Sequence, residues 1–141
     1  MLPLFSPPSA PSIVRSHTYA SGATSNFAYD GLSRRISIIE KNSSGTVTKE
    51  PIDGGTSVQL AGGQSGPRAI AVDSTSVYWT EQGTPSGAGE TVGGAVMKVG
   101  LDGTGLTTVA ACQNWPYAIA VDATSVYWTD TSGGNVYRTA K

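Results

Sequence analysis

Residues 69–81 read AIAVDSTSVYWTE and residues 118–130 read AIAVDATSVYWTD, so thirteen positions return with two changes. A chain that repeats itself this closely is built from stacked copies of one unit. The register runs beyond the best-matching stretch. Pro67 and Pro116, Asp73 and Asp122, and Trp79 and Trp128 each stand 49 residues apart. Past the tryptophans the offset falls to 40, with GGAVMKV at 93–99 matching GGNVYRT at 133–139. The first copy therefore carries nine additional residues within 82–92, QGTPSGAGETV.

Without that insertion the unit is about 40 residues, the length of one four-stranded propeller blade. Each copy holds short runs that suit strands, separated by Gly, Asp, Ser and Thr. They are AIAV (69–72), SVYWT (76–80), AVMKV (95–99) and LTTVA (106–110), then AIAV (118–121), SVYWT (125–129) and NVYRT (135–139), with no fourth run in the second copy. A weaker copy at the same offset of 49 lays GTVTKEPIDGG (45–55) over GAVMKVGLDGT (94–104), and FAYDGLSRRISIIE (27–40) reads as two β runs around a turn. The expected fold is all-β: an incomplete propeller of about three four-stranded blades, the first a hybrid and the last short of one strand. Along SVYWT, alternation sends Val77 and Trp79 to one face and Tyr78 to the other, where aromatics fill the wedge between neighbouring blades.

Charged residues make up 13% of the 141, about half the roughly 25% usual in soluble domains, and 18 residues are Gly. Short strands and tight turns account for both, because glycine supplies the positive φ that turns need. A net charge of −1 leaves no electrostatic footprint for nucleic acid. Cys112 is the single cysteine, which excludes an intrachain disulfide and a CxxC metal site. No run approaches the about 20 apolar residues that span a bilayer. MLPLFSPPSAPS at the start has no basic n-region and is broken by Pro3, Pro7, Pro8 and Pro11, so no signal peptide is visible and residues 1–18 read as a Pro-rich leader.

The pattern P-x-x-I-A-V-D-x-x-x-x-V-Y-W-T-D, followed by a G-G-x-V strand and L-D-G, resembles the YWTD family of β-propellers over about residues 45–141. The residues that carry it are Pro116, Ile119, Val121, Asp122, Tyr127 to Asp130, Leu101, Asp102 and Gly103, with Glu81 standing where the family has aspartate. A second likeness lies upstream. Tyr29, Asp30, Gly31, Leu32, Arg34 and Arg35, with GTVT at 45–48, resemble the YD repeat of RHS proteins over about residues 19–50, with Ser33 where that family has Gly. Together the likenesses imply a bacterial, secreted or cell-surface chain in four parts: a leader (1–18), an RHS-like segment running into a hybrid blade (19–66), a full blade with its insertion (67–115) and a partial blade (116–141).

Reactive chemistry is thin. His17 is the only histidine, and no G-x-S-x-G elbow occurs. Asp30, Asp53, Asp73, Asp102 and Asp122 fall at turn positions, where Asp bonds to backbone two residues on, and DGTG and DGG lack the alternating ligands of a calcium loop. The glycine-rich insertion has no P-loop lysine. No cofactor, metal or catalytic residue is expected.

Candidate binding residues are Glu81, Thr84 and Glu90 in and beside the insertion, which must project from one rim, and Trp115 and Tyr117 beside a between-blade turn. The plainer reading of the insertion is a tolerated flexible loop, and Trp115 and Tyr117 read equally as junction core. The expected function is a non-enzymatic binding or structural scaffold for a protein or carbohydrate ligand. A component of an RHS-type toxin or shell is the alternative, and a propeller lactonase or lyase a third reading. Three blades leave exposed strand edges. The expectation is self-association, two chains closing a six-bladed ring with a strand near 13–19 completing the last blade; a fragment of a longer repeat protein is the competing reading.

Overall fold

The computed structural model describes the backbone of residues 15–18, 24–29, 34–41, 44–51, 56–85 and 91–141, and the side chains within 45–49, 56–83 and 93–141. Among these residues the structure is all-β, with antiparallel sheets and no helix. Five strands, β1 (Arg15–Thr18), β2 (Thr24–Tyr29), β3 (Arg34–Lys41), β4 (Ser44–Pro51) and β5 (Val58–Ser65), form the first sheet in chain order. The second sheet runs β6 (Pro67–Val72), β7 (Ser76–Glu81), then β10 (Gly94–Gly100) and β11 (Thr107–Gln113). Between β7 and β10 the insertion makes its own two-stranded hairpin, β8 (Thr84–Pro85) with β9 (Thr91–Val92). β12 (Pro116–Val121), β13 (Ser125–Asp130) and β14 (Asn135–Ala140) form the third sheet.

The repeat in sequence is a repeat in register. Pro67 pairs with Glu81 and Ile70 with Trp79, and at the same offset Pro116 pairs with Asp130 and Ile119 with Trp128. Two residues, Arg68 and Ala69, thus face Thr80 alone, as Tyr117 and Ala118 face Thr129, a bulge that takes one amide out of the ladder. A threonine hydroxyl satisfies that amide in both copies: Ala69 N donates to Thr80 Oγ1 at 3.2 Å, and Ala118 N to Thr129 Oγ1 at 3.0 Å. The following turn is held by aspartate. Asp73 Oδ1 accepts the amides of Thr75 and Ser76, and Asp122 Oδ1 those of Thr124 and Ser125, all at 2.8 Å. Both motifs thereby satisfy their own backbone at each irregular point.

Alternation decides the core. Ile70, Val72, Val77, Trp79 and Val99 meet Val47, Leu60 and Ala61 between the first and second sheets. On the other face of the second sheet, Tyr78 and Val96 meet Val126 and Trp128 of the third. Trp79 and Tyr78, neighbours in sequence, therefore anchor opposite interfaces, and each is fully buried. The first strands of successive copies lie side by side, β6 against both β2 and β12.

One expectation needs correction. The segment near 13–19 does not complete the third sheet: β1 pairs with β2, from Arg15 opposite Phe27 to Thr18 opposite Thr24, so the first sheet has five strands rather than four. Loop entropy favours this choice, because a few intervening residues close a hairpin with far less loss than a closure spanning most of the chain. The motif positions 30–33, Asp53 and the leader through residue 14 lie outside the described residues.

Candidate functional site

Strand direction puts the two candidate regions on one rim. β7, β11 and β13 end there, and β6, β10, β12 and β14 begin there. Gln82 opens the insertion, tied to the link between the first and second sheets by its amide on the Gly66 carbonyl at 3.0 Å, with Gly83 N on Ser65 O, the end of β5, at 3.2 Å. Arg68, at the bulge of β6, reaches Gln82 Oε1 at 3.5 Å through Nη1 and lies over the Tyr117 ring, 4.2 Å from its centroid. Arg68 is thus the link between the insertion and the 112–117 stretch. Tyr117 is 43% exposed, and the Arg68 guanidinium, by hydrogen bonding and then by charge, holds its phenol below the usual range. Its backbone is fixed as well: the Tyr117 carbonyl accepts the Thr80 hydroxyl at 3.1 Å across the sheet junction.

Trp115 is half-buried and adopts a positive φ of 53°, and its carbonyl accepts both the amide and the hydroxyl of Thr131 at 3.2 Å. Asn114 donates through Nδ2 to Ser132 Oγ at 3.0 Å. Trp115 therefore serves the junction between the sheets, while Tyr117 is the aromatic presented to solvent. The pair offers a planar cation stacked on an aromatic ring, a surface that suits a polar or aromatic ligand group.

Glu81 is buried rather than presented at the rim. It is 8% exposed, its carboxylate accepts the Trp79 indole at 3.3 Å, and burial pushes its pKa up against the opposing bonds from Trp79 and the Ser65 amide. In the other copy the shorter Asp130 caps its own turn, accepting the amides of Ser132 at 2.8 Å and Gly133 at 3.2 Å. Trp128 then turns its indole to Gln113 Oε1 at 2.8 Å. Gln64 occupies the position of Gln113 one repeat earlier. Its amide nitrogen bonds the Gly62 carbonyl at 2.8 Å, as Gln113 bonds Ala111 at 2.7 Å, but its Oε1 is buried without a hydrogen-bond partner among the described residues. Where the short turn follows Asp130 the acid caps that turn and Gln113 holds the indole; where the insertion follows Glu81 the acid holds the indole instead.

The opposite rim carries a second polar cluster. Lys141 Nζ bonds Asp73 Oδ2 at 2.5 Å, which also accepts the Tyr78 hydroxyl at 3.1 Å. Burial opposes ionisation of Asp73, but Lys141 and the Thr75 and Ser76 amides outweigh it and hold the carboxyl at about 2. Burial, with the Asp73 charge, pushes Tyr78 up to about 12. Asp122, bonded by the Thr124 amide and by Tyr127 OH at 2.7 Å, is likewise held at about 2.

Of the five candidates, Glu81 is scaffold, Trp115 is at the junction and Tyr117 is exposed. Thr84 lies in β8, with its side chain outside the described set, and Glu90 lies outside the described residues. Arg68 was missed. Its signal was the one variable position in P-x-A-I-A-V-D, where the copies carry Arg68 and Tyr117, the two residues that stack. Asp73, Asp102 and Asp122 each bond the backbone two residues on, the Asp102 bond being to Thr104 N at 3.0 Å. Among the described residues no three His, Cys, Asp or Glu side chains converge, and no helix is long and apolar enough to cross a membrane.

No family model and no curated protein matches the sequence. Among solved structures, a chain in the crystal structure of a nidogen/laminin complex is similar at 13% identity and a TM-score of 0.44, over 83% of this chain and 68% of that one.

Proposed function

We propose that this chain is a non-enzymatic repeat module of the β-propeller kind, its sheets being successive blades, and that it binds a protein or carbohydrate ligand through the rim bearing Arg68, Gln82 and Tyr117. One observation carries the reading: the repeated polar atoms are committed to scaffold in both copies. The threonines hold the bulges, the aspartates hold the turns and the tyrosine hydroxyls bond those aspartates. What remains for recognition is the chemistry that differs between copies, and it gathers at Arg68 and Tyr117. Side-by-side packing of β2, β6 and β12 supports the blade reading, since blades meet along their inner strands.

Open strand edges favour self-association of the module. A secreted or surface setting, and the alternative role in an RHS-type shell, rest on the sequence likeness of residues 19–50 and on family resemblance alone. The test is an NMR titration of the purified chain against soluble oligosaccharides and peptides. Shifts centred on the amides of Arg68, Gln82 and Tyr117, lost in Tyr117→Ser, are expected. Turnover of a lactone or polysaccharide, or binding that leaves those amides unmoved, overturns the reading.

A further inference from the structure

The buried junction between β5 and β7 holds an oxygen that no donor meets. Gln64 and Gln113 have matching places: each pairs with a glycine of the neighbouring strand, Gly45 or Gly94, and each ties its side-chain nitrogen to the carbonyl two residues back. Gln113 Oε1 then accepts the Trp128 indole proton at 2.8 Å. By that equivalence Gln64 Oε1 belongs beside the Trp79 indole, yet it accepts from nothing among the described residues, although Gln64 is only 7% exposed. An acceptor buried without a donor is costly and calls for an explanation.

Glu81 stands in the glutamine's place. Its carboxyl accepts the Trp79 indole at 3.3 Å and the amide of Ser65, the residue next to Gln64. A carboxylate and an amide oxygen, both acceptors only, therefore converge on one indole proton. Protonation removes the conflict, because a neutral carboxyl brings an O–H of its own. The packed elements carry few charges that bear on this pair. β5 has no ionisable residue. On β6, Arg68 reaches Gln82 and lies over Tyr117; on β10, Lys98 lies over the Tyr78 ring, 5.5 Å from its centroid; on β4, Lys49 bonds the Leu101 carbonyl at 2.7 Å. The side chains of Glu40 and Lys41 on β3, and Glu90 in the insertion, lie outside the described set.

We infer that Glu81, once protonated, donates its proton to Gln64 Oε1, and that the resulting bond is a pH-sensitive tie between the ends of β5 and β7. The proton comes from solvent, and the indole stays on the other carboxyl oxygen, so no existing bond is given up. In acid the tie joins the first sheet to the second at the root of the insertion, where the Gln82 and Gly83 amides already bond the Gly66 and Ser65 carbonyls. As pH rises the carboxylate forms, faces the amide oxygen and releases it. Burial pushes the Glu81 pKa up, so the stability this group contributes is present in acid and is lost as pH rises through the raised value. The third sheet has no such tie, since Asp130 caps its own turn and Gln113 keeps the indole.

An NMR titration of the full chain between about pH 3 and about pH 8 tests it, a range that brackets a raised carboxyl. The Glu81 carboxyl carbon should titrate above 4.5, and the Gln64 side-chain amide and Trp79 indole resonances should follow the same midpoint. Gln64→Met should lower that midpoint, because the neutral acid loses its acceptor; burial alone would raise it, Met being the less polar residue, so the sign separates the two. The same variant should lose about fivefold in the folding equilibrium constant at about pH 4, and little at about pH 8. Glu81→Gln, whose amide donates at every pH, should hold the Gln64 and Trp79 resonances near their acid positions and abolish the transition. A Gln64 resonance that ignores the Glu81 titration overturns the inference and assigns that oxygen to a buried water. A midpoint that stays or rises in Gln64→Met overturns it as well, and either result leaves ligand binding at the Arg68 rim standing.

Discussion

The second and third sheets carry the same motif in different surroundings. β7 is buried along its whole length between two sheets, whereas β14 is exposed at nearly every residue. Trp79 and Trp128 hold matching positions, yet one gives its indole proton to an acid two residues on and the other to a glutamine on the preceding sheet. The contrast teaches that alternation places the apolar side chains and that the threonine, aspartate and tyrosine bonds repeat with them, while the indole and the acid closing the strand bond differently in the two copies. The buried tryptophan bonds a different partner in the copy that carries Glu81 and the nine-residue insertion.

The largest test of this contrast is truncation of the tryptophans. Trp79→Ala should destabilise by about 3–5 kcal/mol in urea unfolding, and Trp128→Ala by less, because Trp128 stacks on a Tyr137 that is itself 39% exposed. Equal losses would mean that the third sheet is as well packed as the second. Next come the threonines. Thr80→Val strands the Ala69 amide and withdraws a donor from the Tyr117 carbonyl, for about 2 kcal/mol, and Thr129→Val, which strands one amide, should lose about half of that. The glutamines should differ in the same direction by about 1–2 kcal/mol: Gln113→Met leaves the Trp128 indole unpaired, while Gln64→Met removes an oxygen that bonds to nothing described.

Lys141→Met is the smallest, under about 1 kcal/mol, because the pair is partly open to solvent. Its signature lies in pH. The folded pKa of Asp73 is about 2, below its ordinary 3.8, so the stability it contributes is present above about 3.8 and is lost as pH falls toward about 2. Lys141→Met should shrink that acid loss. Glu81 has the opposite sign: burial raises its pKa above 4.5, so it withdraws stability as pH rises through that region, and Glu81→Gln should gain on the parent at neutral pH relative to pH 4. A gain that is the same at both pH values would show that the carboxylate is solvated.

Much of this was legible in the chain. Spacing located the strand runs and the turn aspartates, because both follow from local backbone needs that recur with the motif; the bulges after Pro67 and Pro116 were not foreseen. Alternation placed Trp79 and Tyr78 on opposite faces. What the sequence hid were contacts between units. Arg68 over Tyr117 joins residues from two copies, and no local pattern announces it. Glu81 read as a surface candidate because it borders the insertion; its burial depends on a tryptophan two residues back and on the first sheet's last strand. The placement of β1 turned on loop entropy, which strand-run matching does not register.

Faces that match from one copy to the next have an evolutionary consequence. The surface that receives the third sheet is largely rebuilt on the third sheet itself, at Ala120, Tyr127, Thr129 and Val136, so a whole unit could be added against a face of familiar shape. Length can then drift by integral steps under weak selection, and each step alters stability by about one unit and one interface. The second and third sheets share their motif and differ in the turn that connects its strands, so length and chemistry vary where a unit touches solvent while the packed strands repeat.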